Sequence, residues 1–370
     1  MHKLLEEKPR EKEFLRALEL LSPGTELREG INHILQARIG GLIVIGDSPN
    51  ILELANAGFQ IDCEYTPMRL YELSKMDGAI ILSADLRHII RANVYLRPNL
   101  AIPSRETGMR HQVAEKFSKQ TGKIVLAISQ RRRGLTLYLK NQRYLFRDLP
   151  VLISGANQTM LALNRYLETL TRAMDGLQDA ELTSTVTLSD IVTVIQRAEM
   201  VRRTENDLNR YGIELGIEAQ SLQLRPPELE IEEQAFLVIR DYYQADQREE
   251  DEVFERIFKL DAQALADRGN ICVALGYPRD TADGVDTIEP RGYRLLNQVH
   301  RLPMNVIENV IRTFKTLSAI YEATIEDLQA VEGVGEVRAA MIKDELLRLK
   351  FPQPIRQYTP FSAEILDEDL

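Results

Sequence analysis

Along the first 150 residues the spacing of apolar positions switches repeatedly between helix and strand. Phe14, Leu15, Leu18 and Leu21 recur at helical spacing and Pro23-Gly24 ends the run, which predicts a helix over residues 11–22 and a second over about 26–37. Gly41-Leu42-Ile43-Val44-Ile45-Gly46 is a continuous apolar run between glycines, the pattern of a buried strand. Thr66-Pro67 supplies an N-cap and a first-turn proline for a helix whose inner face is Leu70, Leu73 and Met76. Extended segments follow at 79–83 and 88–96, then a helix opened by Thr107-Gly108-Met109-Arg110-His111, then a strand over 124–128 that closes on Ser129, Arg131, Arg132 and Arg133. Such alternation implies an α/β or α+β domain on a mixed central sheet, residues 1–150.

From Leu152 the pattern changes. Leu152, Ala156, Met160, Leu163, Leu167, Leu170, Met174 and Leu177 repeat at steps of four and three, a heptad seam. The seam fits first a helix buried in its own domain's bundle, and as the alternative one that also joins protomers. Thr187-Leu188-Ser189-Asp190 caps a further helix, and the helical, acidic run to about residue 268 is broken near Pro226-Pro227. Residues 151–290 thus read as an all-helical spine ending in a Gly-, Pro- and Asp-rich loop, 276–291. Helices resume over 291–352, where Thr324-Ile325-Glu326-Asp327 has the form of a capping box. Leu328 and Val331 precede Glu332-Gly333-Val334-Gly335-Glu336, a Gly-x-Gly hairpin between two helices, with Arg338 one turn into the second. Such a hairpin exposes helix-start N–H groups that can dock one DNA phosphate, a contact with backbone rather than bases. Residues 353–370, with two prolines and Glu364, Asp367, Glu368 and Asp369, form an acidic tail. The fold class is multidomain, α/β followed by all-α.

Charge sharpens this division. The net charge is −10, but residues 1–150 carry a balance of +6, residues 151–290 one of −14, and residues 291–352 are near neutral. A positive first domain suits a polyanionic small ligand, whereas the acidic middle is a poor nucleic-acid surface. DNA binding near the C-terminus must therefore come from local geometry. Cys63 and Cys272 are too few and too far apart for a disulfide framework or zinc knuckle, and are expected as buried small hydrophobes. The charged N-terminus is unlike a signal peptide, and no apolar run reaches the ~18–20 residues that span a bilayer. A cytoplasmic protein with no membrane partner is expected.

Three polar, glycine-bearing elements stand at strand ends. Asp77 is followed by two residues with little or no side chain, so a ligand can approach the backbone beside a carboxylate suited to metal binding or hydroxyl orientation. Thr107 to His111 places a glycine and two potential cations at a helix start, a natural anion site. Ser129, Arg131 and Arg132 offer a hydroxyl and guanidinium forks to phosphate oxygens. Taken singly, Asp77-Gly78-Ala79 also fits a plain turn, Arg110 a surface residue, His111 a structural histidine, and the arginines a solvated strand end.

Together these elements resemble the diadenylate cyclase family, and the similarity runs over nearly the whole chain. It is carried by Leu70-Tyr71-Glu72-Leu73-Ser74-Lys75-Met76-Asp77-Gly78-Ala79-Ile80, by Glu106-Thr107-Gly108-Met109-Arg110-His111 and by Lys119-Gln120-Thr121-Gly122. Arg291-Gly292-Tyr293-Arg294-Leu295-Leu296 and Val331-Glu332-Gly333-Val334-Gly335-Glu336 complete it in the same order. The resemblance implies condensation of two ATP molecules into cyclic di-AMP with release of two pyrophosphates. It implies Asp77, Arg110 and His111 as catalytic residues, Asp77 also holding Mg2+ or Mn2+. It implies an ATP site of Gly78, Ala79, Leu96, Thr107, Gly108, Met109, Arg110, His111, Gln112, Val113, Ser129, Arg131 and Arg132. It further implies a homo-octamer, coupling of the cyclase to binding of branched or damaged DNA or recombination intermediates through Gly333, Val334, Gly335 and Arg338, and association with the nucleoid.

Two positions depart from the family pattern. Where the family commonly has Arg-His-Arg-Thr, this chain has Arg110-His111-Gln112-Val113, removing a charge-assisted contact and a hydrogen bond, each worth ~1–3 kcal/mol. The alternative reading is therefore a DNA-structure sensor that binds ATP or cyclic di-AMP without turnover. Arg301-Leu302-Pro303-Met304, the expected partner of the Gly-x-Gly hairpin, lacks its glycines.

Overall fold

The computed structural model describes residues 9–131, 134–222, 230–246 and 249–350. Arg132 and Arg133, Pro226-Pro227 and the tail 353–370 lie outside the described residues. The chain divides into two compact units, Met1–Arg165 with Arg203–Pro227, and Tyr166–Arg202 with Glu228–Leu370. Residues 151–290, one spine by periodicity, contribute to both.

In the first unit the elements run α1 (Pro9–Glu19), α2 (Glu26–Gln36), β1 (Gly41–Ile45), α3 (Pro49–Glu53), β2 (Ala55–Asn56), β3 (Phe59–Glu64) and α4 (Pro67–Leu73). They continue as β4 (Ala79–Leu82), β5 (His88–Leu96), α5 (Met109–Thr121), β6 (Ile124–Ser129), β7 (Gly134–Leu139) and β8 (Gln142–Leu145). The strands form one mixed sheet in the order β2-β5-β4-β1-β6-β7-β8, with β3 also paired to β5. β1 and β4 are parallel, and β1 and β6 antiparallel.

The unbroken apolar run of β1 follows from its central place, because both its faces are covered. Ile43 and Ile45 join Leu126, Ile128, Ile80 and Leu82 against Leu18, Ile31, Ile34 and Leu70 of α1, α2 and α4, and Leu21 of the turn after α1. Leu42 and Val44 join Ala79, Ile81, Val94, Val125 and Ala127 against Ala114 and Phe117 of α5 and Ile51 of α3. Each fully buried Val, Leu, Ile or Phe side chain among these contributes about 1.5–3 kcal/mol. Thr66 caps α4 as expected, its side chain accepting from the Arg69 N–H at 3.2 Å. The inner face of α4 is shorter than its spacing suggests: Leu70 is buried, but the helix stops at Leu73 and Met76 is exposed. The Ser74 hydroxyl donates to the Tyr71 carbonyl, and the chain turns at once toward Gly78. Cys63, on β3, is half-buried, and Cys272 is buried; both are free.

α6 (Leu149–Thr183) and α7 (Leu188–Leu215) carry segments of both units. Along α6 the seam positions Leu152, Ala156, Leu163, Leu170, Met174 and Leu177 are buried, and Met160 and Leu167 are half-buried. Thr187 and Asp190 box the start of α7, the Thr187 N–H donating to the Asp190 carboxylate at 3.0 Å. The first unit ends with α8 (Ile217–Ser221).

The second unit continues through α9 (Glu230–Tyr242), α10 (Glu250–Lys259), α11 (Ala262–Ala266) and α12 (Arg268–Leu275). The loop after α12 holds a short 3-10 turn, Arg279–Asp283, that its composition concealed. α13 (Tyr293–Asn297), α14 (Met304–Phe314), α15 (Leu317–Glu322), α16 (Ile325–Gln329) and α17 (Glu336–Lys350) follow. These five helices share one core that includes Leu296, Ile307, Ile311, Ile320, Leu328, Val334 and Ile342. The start of α13 is held by a buried carboxyl group: Asp241 accepts from the N–H groups of Gly292, Tyr293 and Arg294 at 2.7, 2.6 and 3.0 Å. The Arg294 guanidinium is buried in an ion pair with Glu181, which also accepts from the Tyr242 hydroxyl at 2.8 Å. Among the described residues no helix is long and apolar enough to cross a membrane.

Candidate active site at one end of the sheet

Strand register gathers the separate sequence elements. β1 and β4 run parallel with Ile43 opposite Ile80, so the Asp77-Gly78-Ala79 turn lies at the end of the sheet where β1 begins. β6 runs antiparallel to β1 with Gly41 opposite Ile128, which brings Ser129 to that end. β5 runs antiparallel to β4 with Ala79 opposite Val94, which brings Leu96 there also. Arg110 completes the group from α5. Its guanidinium lies on the backbone of Gly40, so close that a Cβ at Gly40 would stand 2.1 Å from Nη1. Gly40 belongs to this site and no sequence motif pointed to it.

The conformation of the turn depends on Gly78. Its φ is +88°, and a Cβ would stand 2.9 Å from Asn93 C and from Val94 N and O. The absent side chain lets β5 close over the turn and leaves the neighbouring Asp77 carboxylate exposed.

α5 opens with Gly108 as N-cap, φ −90° and ψ 132°, and no side chain caps the first turn. Its leading N–H groups suit an anion. Thr107, Gly108, Met109 and Arg110 are exposed around them. His111 is half-buried, its Nδ1 2.9 Å from the Tyr138 hydroxyl on β7, with the two rings edge to face. The Tyr138 hydroxyl donates to Glu106 Oε1 at 2.8 Å, and Arg143 Nε on β8 reaches the same oxygen at 2.5 Å. Burial and the Glu106 contact push the Tyr138 phenol far above its ordinary range. Burial works against the Arg143 charge, but Tyr138 and Glu106 outweigh it and raise the pKa. Glu106 was visible in the sequence only as the residue before Thr107; Tyr138 and Arg143 carried no signal.

Two residues expected at the ATP site face elsewhere. Gln112 donates its side-chain N–H to the Glu106 carbonyl at 2.7 Å, and Val113 packs against the core beside Ala114 and Phe117. The loop leading into α5 is tied down along the helix. Lys116 and Lys119 donate to the carbonyls of Leu100 and Pro103, and Gln120 accepts from the Asn99 N–H. Buried Glu115 accepts from the Ser104 hydroxyl at 2.5 Å and the Arg105 N–H at 3.0 Å. Burial opposes its ionisation, but Lys119 and these two donors prevail and lower its pKa. Ser129 is half-buried and Arg131 exposed at the far side of the site.

In the second unit, Gly333 has φ +85° and the Val334 N–H donates to the Val331 carbonyl at 3.0 Å, closing the hairpin expected between α16 and α17. Arg338 folds back on it, donating to the Gly333 carbonyl at 2.6 Å. The segment between α13 and α14 copies this turn without glycine: the Leu302 N–H donates to the Val299 carbonyl at 3.3 Å, and Arg301 takes φ +57°.

Comparison with known proteins agrees with this layout. Residues 28–143 match the DisA bacterial checkpoint controller nucleotide-binding model, residues 146–283 the DisA bacterial checkpoint controller linker region, and residues 316–345 a helix-hairpin-helix motif. The chain is 46% identical over 344 residues to the DNA integrity scanning protein DisA of Clostridium tetani, covering 92% of this chain and 95% of that one. The chain belongs to the DisA family. The DisA of Acetivibrio thermocellus is 42% identical over 346 residues, 93% of this chain and 96% of the relative. A solved structure of DacA from Staphylococcus aureus, a double mutant, aligns over 39% of this chain and 93% of its own at 17% identity. Its TM-score of 0.28 is too low to support an inference.

As a DisA family member the protein is an enzyme, a diadenylate cyclase, and its helix-hairpin-helix motif binds DNA. Nucleotidyl transferases of this kind generally need a divalent metal. Among the described residues no group of three or more His, Cys, Asp or Glu side chains could hold one. The lone exposed carboxylate of Asp77 fits a hard cation that takes one or two protein carboxylates and completes its shell with substrate phosphates and water.

Proposed function

We propose that the sheet-end site binds one ATP and, facing a second copy of itself, joins two ATP molecules into cyclic di-AMP with loss of two pyrophosphates. The convergence of Asp77, Leu96, Ser129 and the Gly40-seated Arg110 on one end of the sheet carries this reading. Asp77 orients the ribose 3′-hydroxyl, and Gly78 and Leu96 line the base and ribose pocket. Arg110, His111 and the first-turn N–H groups of α5, with Thr107, Gly108 and Met109, take the phosphates, assisted by Ser129, Arg131 and Arg132. Gln112 and Val113 act through the loop and the core respectively, so the loss of the family's second arginine is tolerated. Mg2+ or Mn2+ held by Asp77 neutralises phosphate charge when bound. The 3′-oxygen attacks the α-phosphorus of the facing ATP, its P–O bond to pyrophosphate breaks, and the hydroxyl proton leaves to base or solvent. Two such transfers close the ring.

In this proposal residues 1–150 are the cyclase domain, 151–290 the spine, 291–352 the DNA-binding domain and 353–370 an acidic tail. The protein assembles as a homo-octamer in the cytoplasm, at the nucleoid. Branched DNA or recombination intermediates engage Gly333, Val334, Gly335 and Arg338 and restrain or report on the cyclase. The test is incubation with ATP and Mn2+ or Mg2+, following cyclic di-AMP by chromatography with Asp77→Asn beside it. Product that vanishes in the variant is expected; a folded, ATP-binding wild type that makes none would leave the silent sensor.

A further inference from the structure

Tyr138, Glu106 and Arg143 lie outside the residue set proposed above, yet they form a hydrogen-bonded chain that ends on His111 Nδ1. A carboxylate only accepts hydrogen bonds and a guanidinium only donates them. The single hydroxyl hydrogen of Tyr138 therefore goes to Glu106 Oε1, 2.8 Å away, while Arg143 reaches that same oxygen at 2.5 Å. The Tyr138 oxygen is left as an acceptor, so His111 Nδ1, at 2.9 Å, must be the donor. The other tautomer would set two lone pairs against each other.

A hydroxyl at this place is not needed for packing. Tyr138 is fully buried among Val125, Ala127, Ala114 and Phe117, where a phenylalanine ring would fill the same volume without a polar group to satisfy.

We propose that Tyr138, backed by Glu106 and Arg143, is a positioning residue of the cyclase: it holds the His111 ring with Nδ1 protonated, so that only Nε2 gains or loses a proton. This rests on His111 belonging to the ATP site. Glu106 also meets that site through its main chain, which Gln112 grips at 2.7 Å, so ring, loop and helix start are set as one piece.

The decisive variant is Tyr138→Phe in the full chain, with retention of fold checked by its thermal midpoint. Two-bond 1H–15N spectra of histidine-labelled protein, recorded where the ring is neutral, read the tautomer directly. The wild type is expected with the proton on Nδ1, and Tyr138→Phe with a shift toward Nε2. Cyclic di-AMP turnover of Tyr138→Phe should fall about 10- to 100-fold with little change in the KM for ATP. Glu106→Gln keeps an acceptor for Tyr138, so it should retain the wild-type tautomer and lose less turnover. A wild-type ring protonated on Nε2, or a tautomer that Tyr138→Phe does not move, overturns the proposal. So does unchanged turnover in a Tyr138→Phe whose tautomer has moved. Full activity in His111→Ala would instead overturn the placing of His111 in the site, and the spectra tell that failure apart.

Discussion

Replacing Gly40 with alanine tests the seat of Arg110 without changing any residue proposed to contact ATP. The added Cβ would stand 2.1 Å from Nη1 and 2.8 Å from Cζ, where ordinary contact begins near 3.4 Å. Nη1 must therefore retreat by about 1.3 Å, from 2.1 Å to ordinary contact at 3.4 Å. Because the obstructed atoms are the far end of a flexible side chain, the fold itself should lose less than about 1 kcal/mol. Catalysis is less forgiving: a misplacement of about 1 Å at a phosphate-orienting group costs on the order of 100-fold, near 2.7 kcal/mol of transition-state stabilisation. Gly40→Ala is thus expected to make cyclic di-AMP about 100-fold more slowly while its thermal midpoint stays within a few degrees of wild type. The control is the double variant. If the effect runs through Arg110, adding Gly40→Ala to Arg110→Ala should change the rate little, since both act on one contact. Wild-type turnover in Gly40→Ala, or an undiminished further loss in the Arg110→Ala background, would refute the reasoning.

Gly78→Ala forces a side chain onto φ +88° and into the backbone of Asn93 and Val94 at 2.9 Å; urea unfolding should show a loss of about 2 kcal/mol or more. Gly333→Ala meets φ +85° and Val306 at 3.2 Å, so fluorescence anisotropy with branched DNA should show weakened binding while cyclase turnover without DNA is unchanged. In the second unit, burial and then the charge of Glu181 push Asp241 up to about 7, against the pull of the three N–H donors. Its folded value lies above its unfolded one, so the folded state binds the extra proton and this contribution to stability is lost as pH rises from about 4 to 7. Asp241→Asn removes that dependence: its urea midpoint should gain on the wild type's between pH 4.5 and 7.5, and a constant difference would count against it.

Local chemistry alone settled much of this molecule. A helix start is written in two or three adjacent residues, so the caps at Thr66, Thr187 and Thr324 were legible, as was the hairpin at Gly333. Burial on both faces leaves a continuous apolar run, so β1 was legible as well. The acidic and glycine-bearing turns could be recognised singly, each with an innocent alternative. What joined them was register: Asp77, Leu96 and Ser129 share one end of the sheet only because β4 runs with β1 while β5 and β6 run against their neighbours. Strand pairing depends on contacts far apart in sequence, which no local period encodes. The same holds for the seat of Arg110 on Gly40 and for the Glu106–Tyr138 bond across 32 positions. Arg301 was legible as part of the hairpin's expected partner, but the lack of glycine hid that it takes the same left-handed turn, at φ +57°. Val113, apolar at the head of a helix, could face ligand or core, and only the sheet beneath α5 decided for the core.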